Sequence, residues 1–344
     1  MPAFKYIRKS IAYVLPAFIL LFSCSSPNNN AESSSTTDTT RLEYKLKVIN
    51  DKLIKDPENP ALYAERALIN NARGVLPAAI NDMKQAVSLD STNQDYYLLL
   101  GDFAFRGLQV KESVDAFRKC IALNPSNKEA NLKFAELNLY LKAYPDALKY
   151  ANDALKLDER QAKPYFIKGF VYKEMKDTAR AISSFQTVVE IDPEHYEAYL
   201  ELGRIFAERG NPLAVQYYDN ALRVRPTSTE ALYNRGLFLQ QAGRLDQAEQ
   251  DYQTILKIDK QYADAYFNLG YISLIYRSEA DKSIGYFTDA LRFNPDYVEA
   301  YYNRGMAYSK TGNNEAAKKD FMKCLSIYPA YKLAQDRLKE MGVK

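Results

Sequence analysis

The chain of 344 residues contains no tryptophan, one histidine and three cysteines. Three cysteines are too few for a framework of disulfide bonds. A catalytic triad needs its histidine beside a nucleophile, and the sequence around His195 supplies none, so we interpret His195 as a solvated turn residue. No Cys and His spacing predicts a metal site, and no glycine-rich phosphate loop occurs. We therefore expect no enzyme activity, no cofactor and no bound metal.

The formal net charge of +3 reflects the first ten residues alone. Lys5, Arg8 and Lys9 precede the first acidic residue, Glu32, and the rest of the chain has 43 basic and 43 acidic residues. Binding to nucleic acid is driven largely by excess positive charge, which this body lacks. We therefore do not expect a nucleic-acid partner.

Residues 1–24 have the order of a secretory signal, with basic residues followed by an apolar run and small polar residues. The run is shorter than the about 20 residues of a spanning helix, and Pro16 interrupts it. Its end, Leu21-Phe22-Ser23-Cys24, resembles the lipobox of bacterial lipoproteins, in which the cysteine is diacylated and becomes the mature N-terminus. The resemblance implies lipidation at Cys24. The alternative is an ordinary signal peptide with a cysteine near its cleavage site.

Residues 25–40 contain no large apolar residue and predict a flexible tether between lipid and body. In similar lipoproteins an aspartate after the cysteine favours retention in the inner membrane, whereas Ser25 follows Cys24 here. The resemblance therefore implies the outer membrane, with the body most simply facing the periplasm. Residues 41–57 predict a single amphipathic helix that precedes the rest of the fold.

Small residues recur at a spacing of about 34 through most of the chain. They are Ala67, Gly101, Ala135, Gly169, Gly203, Gly236, Gly270 and Gly305. An aromatic residue lies four positions before most of them, a second small residue follows about twelve positions later, and a proline closes most units. A fixed period of this length is typical of a stacked array rather than of one compact domain.

These offsets resemble the tetratricopeptide repeat, and the resemblance covers residues 60–331. It implies an all-α fold, a right-handed α-solenoid of stacked antiparallel helix pairs, with eight repeats. Residues 332–344 predict a charged capping helix, because the ends of a solenoid need a polar outer face. Cys120 and Cys324 occupy equivalent positions of second helices, where small residues stand in other units, and we expect both thiols to be buried.

In tetratricopeptide proteins the inner face of the first helices lines a concave groove that holds peptides or partner segments. Carried over position by position, the resemblance implies a groove set of thirteen residues. They are Leu98, Phe105, Leu132, Phe166, Phe170, Leu200, Arg204, Tyr233, Leu237, Phe267, Tyr271, Tyr302 and Met306. The alternative is that part of this stripe is buried between adjacent first helices. An exposed apolar stripe of this size would indicate an interaction site.

Six acidic residues recur at the second position of the predicted repeats, namely Asp95, Glu129, Glu197, Glu230, Asp264 and Glu299. They have two interpretations: attraction of a basic partner at the rim of the groove, or complementing the dipole of the helix that they begin. Asn234 and Asn303 resemble the asparagines that hold a terminal carboxylate in some members of the family, but the supporting residues of that clamp are absent. We therefore do not expect a carboxylate clamp.

The sequence predicts a non-catalytic scaffold or adaptor, anchored by lipid to a bacterial envelope membrane, that binds a protein segment in its groove. A second interpretation is a structural subunit of an envelope secretion or outer-membrane assembly complex, bound through its convex face. A third is a carbohydrate-binding or hydrolytic lipoprotein, which the absence of tryptophan disfavours. The oligomeric state does not follow from the sequence.

Overall fold

The computed structural model describes residues 34–342. The predicted signal segment, Cys24 and residues 25–33 of the predicted tether lie outside the described residues. Within the described range every regular element is helical, with eighteen α-helices and one π-helical turn. The chain divides into an N-terminal body, Met1–Leu123, and a C-terminal body, Asn124–Lys344.

The N-terminal body contains a first helix and two helix pairs. Its helices are α1 (Ser34–Lys55), α2 (Pro60–Ala72), α3 (Leu76–Leu89), α4 (Gln94–Arg106) and α5 (Val110–Leu123). Ile49 and Leu53 of α1 pack on Ile69 of α2. Helix α1 begins seven residues before the predicted start at residue 41, so residues 34–40 of the predicted tether are helical.

The C-terminal body continues the same pairing and ends in a single helix. Its helices are α6 (Lys128–Tyr140), α7 (Tyr144–Leu157), α8 (Ala162–Glu174), α9 (Thr178–Ile191), α10 (Tyr196–Glu208), α11 (Leu213–Val224), α12 (Thr229–Gln241), α13 (Leu245–Ile258), α14 (Ala263–Tyr271), α15 (Ala280–Phe293), α16 (Val298–Lys310), α17 (Asn314–Ile327) and α18 (Lys332–Glu340). The all-α fold of stacked helix pairs is confirmed.

The recurring small residue is explained by the packing inside each pair. A Cβ atom added to Gly101 of α4 would lie 2.6 Å from the Phe117 ring of α5, and one added to Gly169 would lie 2.6 Å from the Phe185 ring. Real Cβ atoms do not approach so closely, and Phe117 and Phe185 are fully buried. The period in the sequence is therefore a packing requirement that each pair repeats.

The turn between the two helices of a pair requires one residue with positive φ. Gly210, Gly243 and Gly312 have φ values of 64°, 75° and 81°, as expected of glycine at the end of a helix. Lys142 and Lys176 occupy the equivalent position of their pairs at φ values of 57° and 63°. The turn geometry is thus kept even where the residue has a Cβ atom that strains it.

One irregular spacing in the sequence has a local structural cause. Gly270 and Gly305 are separated by 35 residues, one more than the usual 34. The helix that begins as α14 ends in a π-helical turn, Ile272–Tyr276, which accommodates the additional residue. Ser283 of α15 stays buried where most other pairs have alanine.

The last helix covers the end of the C-terminal body. Ala334 and Leu338 of α18 are buried against Phe321 and Cys324 of α17. Most of the remaining α18 residues are charged or polar and exposed, as a terminal cap requires. None of the helices in residues 34–342 has the length and apolar character needed to cross a membrane.

Candidate functional site

The predicted groove set lies on the first helices of the pairs, from α4 to α16. Leu98 and Phe105 belong to the N-terminal body, and the other eleven residues belong to the C-terminal body. Twelve of the thirteen side chains are half-buried, whereas Leu200 is buried with 5% exposure. These residues therefore share one kind of position, but no contact in the structure tests whether they bind a partner.

Rings from the following pair cover part of this stripe. In α8, α12, α14 and α16 the first groove residue contacts the aromatic residue that immediately precedes the next first helix. The ring centroids lie 4.6 Å apart for Phe166 and His195, 5.9 Å for Tyr233 and Tyr262, 4.8 Å for Phe267 and Tyr297, and 5.5 Å for Tyr302 and Tyr331. Part of the stripe is therefore buried between adjacent first helices.

The interpretation of His195 as a solvated turn residue is wrong. The side chain is 19% exposed and its ring lies on Phe166. Its Nδ1 atom accepts a hydrogen bond from the Ala198 N–H at 3.4 Å, so the residue caps the N-terminus of α10. Burial lowers the pKa of His195, and the charges of Glu197 and Asp192 oppose that effect. His195 thus has a structural role as a neutral cap.

A line of alternating charges crosses the first helices α8, α10 and α12. Lys173 Nζ lies 2.5 Å from Glu201 Oε2, and Arg204 Nη1 lies 2.8 Å from Glu201 Oε1. Arg204 also pairs with Glu230 at the start of α12. Glu201 is buried, and two cations compensate its charge. This part of the predicted groove set is polar, balanced in charge and fixed by its own side chains.

Asp264 lies in a different environment at the start of α14. It is half-buried, two positions after Tyr262 and three positions before Phe267. Burial, and secondly the charge of Asp264, raises the pKa of Tyr262 to about 12 and raises that of Tyr233 and Tyr297 as well. Three tyrosines therefore lie near enough to one carboxylate for its charge to act on them, on the face predicted to bind.

The other second-position acids have varied surroundings. Arg225 Nη2 lies 2.7 Å from Glu197, and Arg204 pairs with Glu230. Asp95 and Glu129 are exposed and lie in the first turns of α4 and α6, where a negative charge complements the helix dipole. The sequence pattern is thus uniform, whereas the structural roles differ from pair to pair.

Three arginines that the sequence analysis left unassigned prove to be structural. Each lies one position before the small residue of its repeat and pairs with an aspartate 16 residues later in the second helix. The pairs are Arg66–Asp82 at 2.6 Å, Arg235–Asp251 at 2.5 Å and Arg304–Asp320 at 2.8 Å. Each aspartate is buried. The recurrence of Arg and Asp at this spacing was a visible signal in the sequence.

Each of these arginines also reaches the preceding helix pair. Arg66 donates to Asn50 of α1, Arg235 to Asp219 of α11 and Arg304 to Thr288 of α15. A guanidinium group suits this role because its planar fork offers donors in two directions. The arginines of the two Tyr-Asn-Arg-Gly segments therefore hold neighbouring pairs together rather than lining the predicted groove.

The two described cysteines are buried, as predicted. Burial, with a smaller contribution from the charge of Glu299, raises the pKa of Cys324 to about 12. The thiol of Cys324 is therefore not a nucleophile at neutral pH. In residues 34–342, no three His, Cys, Asp or Glu side chains are grouped closely enough to hold a metal ion.

Comparison with known proteins identifies the repeat. Models of the tetratricopeptide repeat match residues 162–195 and 298–331, and a related tetratricopeptide model matches residues 211–263. The chain contains tetratricopeptide repeats. The matched segments coincide with α8/α9, with the region from α11 to α13, and with α16/α17. The assignment of all eight units to this repeat remains a prediction.

Curated relatives share this repeat at low identity. The human tetratricopeptide repeat protein 6 is 27% identical over 228 residues, which are 65% of this chain and 43% of the relative. Protein FlbA of Caulobacter vibrioides is 28% identical over 181 residues, 52% of this chain and 30% of the relative. The matches thus span less than half the length of each of these relatives.

A solved structure supports the fold. The C-terminal part of a tetratricopeptide repeat-containing protein from Cytophaga hutchinsonii superposes with a TM-score of 0.56 at 18% identity. The superposition covers 66% of this chain and 94% of that chain. At this identity the likeness concerns the arrangement of helices alone.

Proposed function

We propose that this protein is a non-catalytic scaffold whose first-helix face binds an extended or helical segment of another protein. The observation that supports this proposal is the stripe of half-buried aromatic and polar side chains repeated along α8, α10, α12, α14 and α16. Rings that are held by their neighbours but still reach solvent offer contact area at little further entropic cost. Peptides bind such grooves through backbone hydrogen bonds and side-chain pockets.

Substitutions in the groove set test this binding. Phe170→Ala and Phe267→Ala should each reduce recovery of a bound protein in a pull-down from envelope extracts. Phe293→Ala is the matched control, because this ring is half-buried on a second helix and stacks on Tyr266 with centroids 5.7 Å apart. Circular dichroism should show that all three variants fold. Retention of every partner by both groove variants would contradict the proposal.

We further propose that Cys24 carries a lipid anchor and that the body acts in the cell envelope, at the outer membrane and facing the periplasm. This proposal is supported by the lipobox-like segment Leu21–Cys24 and the polar residues that follow it. Two or more acyl chains give stable anchoring, since each buried CH2 contributes about 0.8 kcal/mol. Cys24→Ala should move the protein from the membrane fraction to the soluble fraction. Ser25→Ala should leave it in the membrane, and membrane retention of Cys24→Ala would contradict the anchor.

A second candidate function is that of a structural subunit bound through the ends of the second helices. Its support is a recurring exposed apolar residue at the last position of α3, α5, α7 and α13, with exposures of 42%, 37%, 42% and 41% for Leu89, Leu123, Leu157 and Ile258. Changing Leu157 and Ile258 to serine should release a partner bound there and leave groove binding intact. If these substitutions leave the partner bound and the groove substitutions release it, the groove is the binding surface.

A further inference from the structure

Four aromatic residues flank Asp264 at the start of α14. Tyr262 precedes it by two positions, Phe267 follows it by three in the same helix, and Tyr233 and Tyr297 contact those two rings. Phe267 stacks on Tyr297 with ring centroids 4.8 Å apart, and Tyr262 lies 5.9 Å from Tyr233. The side chains come from three successive pairs and are all half-buried, so each retains some surface toward solvent.

The negative charge at this position is not compensated. Within residues 34–342, no lysine or arginine forms an ion pair with Asp264, whereas Arg225 pairs with Glu197 and Arg204 with Glu230 at the equivalent positions of neighbouring repeats. Lys173 and Arg204, two cations of the earlier first helices α8 and α10, are already paired with Glu201. A ligand with a positive charge is therefore the one whose electrostatics complement the position.

A second feature at the same place is the amide of Asn268. This side chain is on α14, 5% exposed, and its Nδ2 atom has no hydrogen-bond partner of normal geometry although it faces the Tyr233 hydroxyl. Buried side-chain donors are nearly always paired. The atom lies among packed side chains rather than on the surface, so it is a polar group that the aromatic cluster leaves unsatisfied. The unpaired carboxylate of Asp264 therefore carries the inference about the ligand, and the ligand that it favours is a cation.

We propose that Asp264, Tyr233, Tyr262, Phe267 and Tyr297 form a pocket for a lysine or arginine side chain of the bound segment. The proposal rests on the groove function proposed above and adds the chemistry of the partner. The carboxylate supplies the counter-charge, and the ring faces supply cation–π contacts. An acidic side chain is disfavoured because it would bring a like charge to a half-buried carboxylate.

The test uses the purified full chain and a pool of random 12-residue peptides, sequenced before and after capture. We expect lysine or arginine to be enriched at one position of the peptides captured by the native chain. The strongest peptide is then remade with glutamine at that position, and the affinities of both peptides are measured by fluorescence anisotropy. For the native chain, the peptide with glutamine should bind about tenfold more weakly than the cationic peptide, which corresponds to about 1.4 kcal/mol of binding free energy. This difference in affinity should become smaller at high salt, because partly exposed charges are screened.

Asp264→Asn removes the charge and keeps the shape, and Asp95→Asn is its matched control. Asp95 occupies the same second position of an earlier repeat, so both variants lose the same interaction with the helix dipole. We expect Asp95→Asn to keep the preference for the cationic peptide and Asp264→Asn to bind both peptides equally. Equal preference in the two variants would overturn the pocket while leaving the groove function standing. Capture of no peptide by the native chain would instead overturn the groove function, and the pocket with it.

Discussion

At the scale of single residues, glycine has two opposite roles in this chain. Gly243 stands in the turn after α12 with a φ of 75°, in the left-handed region that strains any residue with a Cβ atom. Gly285 lies inside α15, exposed, and a Cβ atom there would meet nothing within 4 Å. The first glycine therefore relieves backbone strain in its turn, whereas the second only weakens its helix.

We predict opposite effects for one substitution at these two sites. Gly243→Ala should lower the free energy of unfolding by about 1–2 kcal/mol, because the alanine Cβ atom is strained at positive φ. Gly285→Ala should raise it by about 0.5–1 kcal/mol, since alanine has the higher helix propensity. Urea unfolding followed by circular dichroism measures both. A change of the same sign in the free energy of unfolding for both variants would contradict the opposite roles of these two glycines.

His195 makes the stability of the C-terminal body depend on pH. Its pKa is lowered in the folded state by burial, so the unfolded chain takes up the proton first as the pH falls. The stabilising contribution is full above the unfolded pKa of about 6.5 and is lost as the pH falls from there toward the folded pKa. Protonation also removes the Nδ1 lone pair that accepts from the Ala198 N–H.

The test compares the native chain with His195→Asn, because asparagine is a strong cap that does not titrate in this range. Between pH 7.5 and 5.5 the native chain should lose more stability in urea unfolding than the variant. Carboxylates titrate in both proteins and cancel in the difference. The same loss in both would show that His195 contributes nothing to the pH dependence.

At the scale of elements, the repeat makes each helix depend on the next one. Gly101 and Gly169 let paired helices approach, and Arg235 and Arg304 connect a pair to the one before it. Helix α18, the last element of residues 34–342, has one buried and one exposed face. Leu338 is 7% exposed and Leu333 is 39% exposed.

These two leucines of α18 provide a controlled comparison. Leu338→Ala should lower the free energy of unfolding by about 2–4 kcal/mol, because it leaves a cavity against α17. Leu333→Ala changes the same residue type in the same helix at an exposed position and should cost less than about 0.5 kcal/mol. Thermal or urea unfolding measures both. A similar cost for the two would mean that α18 does not pack as a cap in solution.

At the scale of the whole molecule, stability is distributed along the chain rather than concentrated in one core. The buried clusters are local, and one of them combines Ala317, Phe321, Cys324 and Leu338 of successive helices. In such arrays each repeat contacts its neighbours only, so stability is nearly a sum over repeats and their interfaces. A long fragment should therefore keep its fold.

We predict that residues 124–344, expressed alone, form a folded α-helical protein. The fragment contains the C-terminal body with its own hydrophobic clusters and its capping helix α18. Circular dichroism should give a helical signal per residue similar to that of the full chain, with a cooperative thermal transition. An unfolded fragment would show that this body needs the N-terminal residues to fold.

The sequence by itself determined the repeating fold of this protein. Most pairs place a small residue opposite a large ring, as Gly169 lies opposite Phe185, and this packing recurs in the sequence as a fixed period. The same logic placed Cys120 and Cys324 in the core and α18 at the end. Period and size are local properties, and they can be read without knowing the tertiary contacts.

Only the tertiary structure decided what each surface residue of the repeat does. Glu197, Glu230 and Asp264 occupy one position in the sequence pattern, yet the first two pair with arginines, whereas Asp264 forms no ion pair within the described residues and has aromatic neighbours. His195 follows a helix-ending proline like a solvated turn residue, yet Phe166 of the preceding pair covers its ring. Such differences depend on which side chains the neighbouring repeats contribute. The period describes only what the repeats share, so it does not predict these differences.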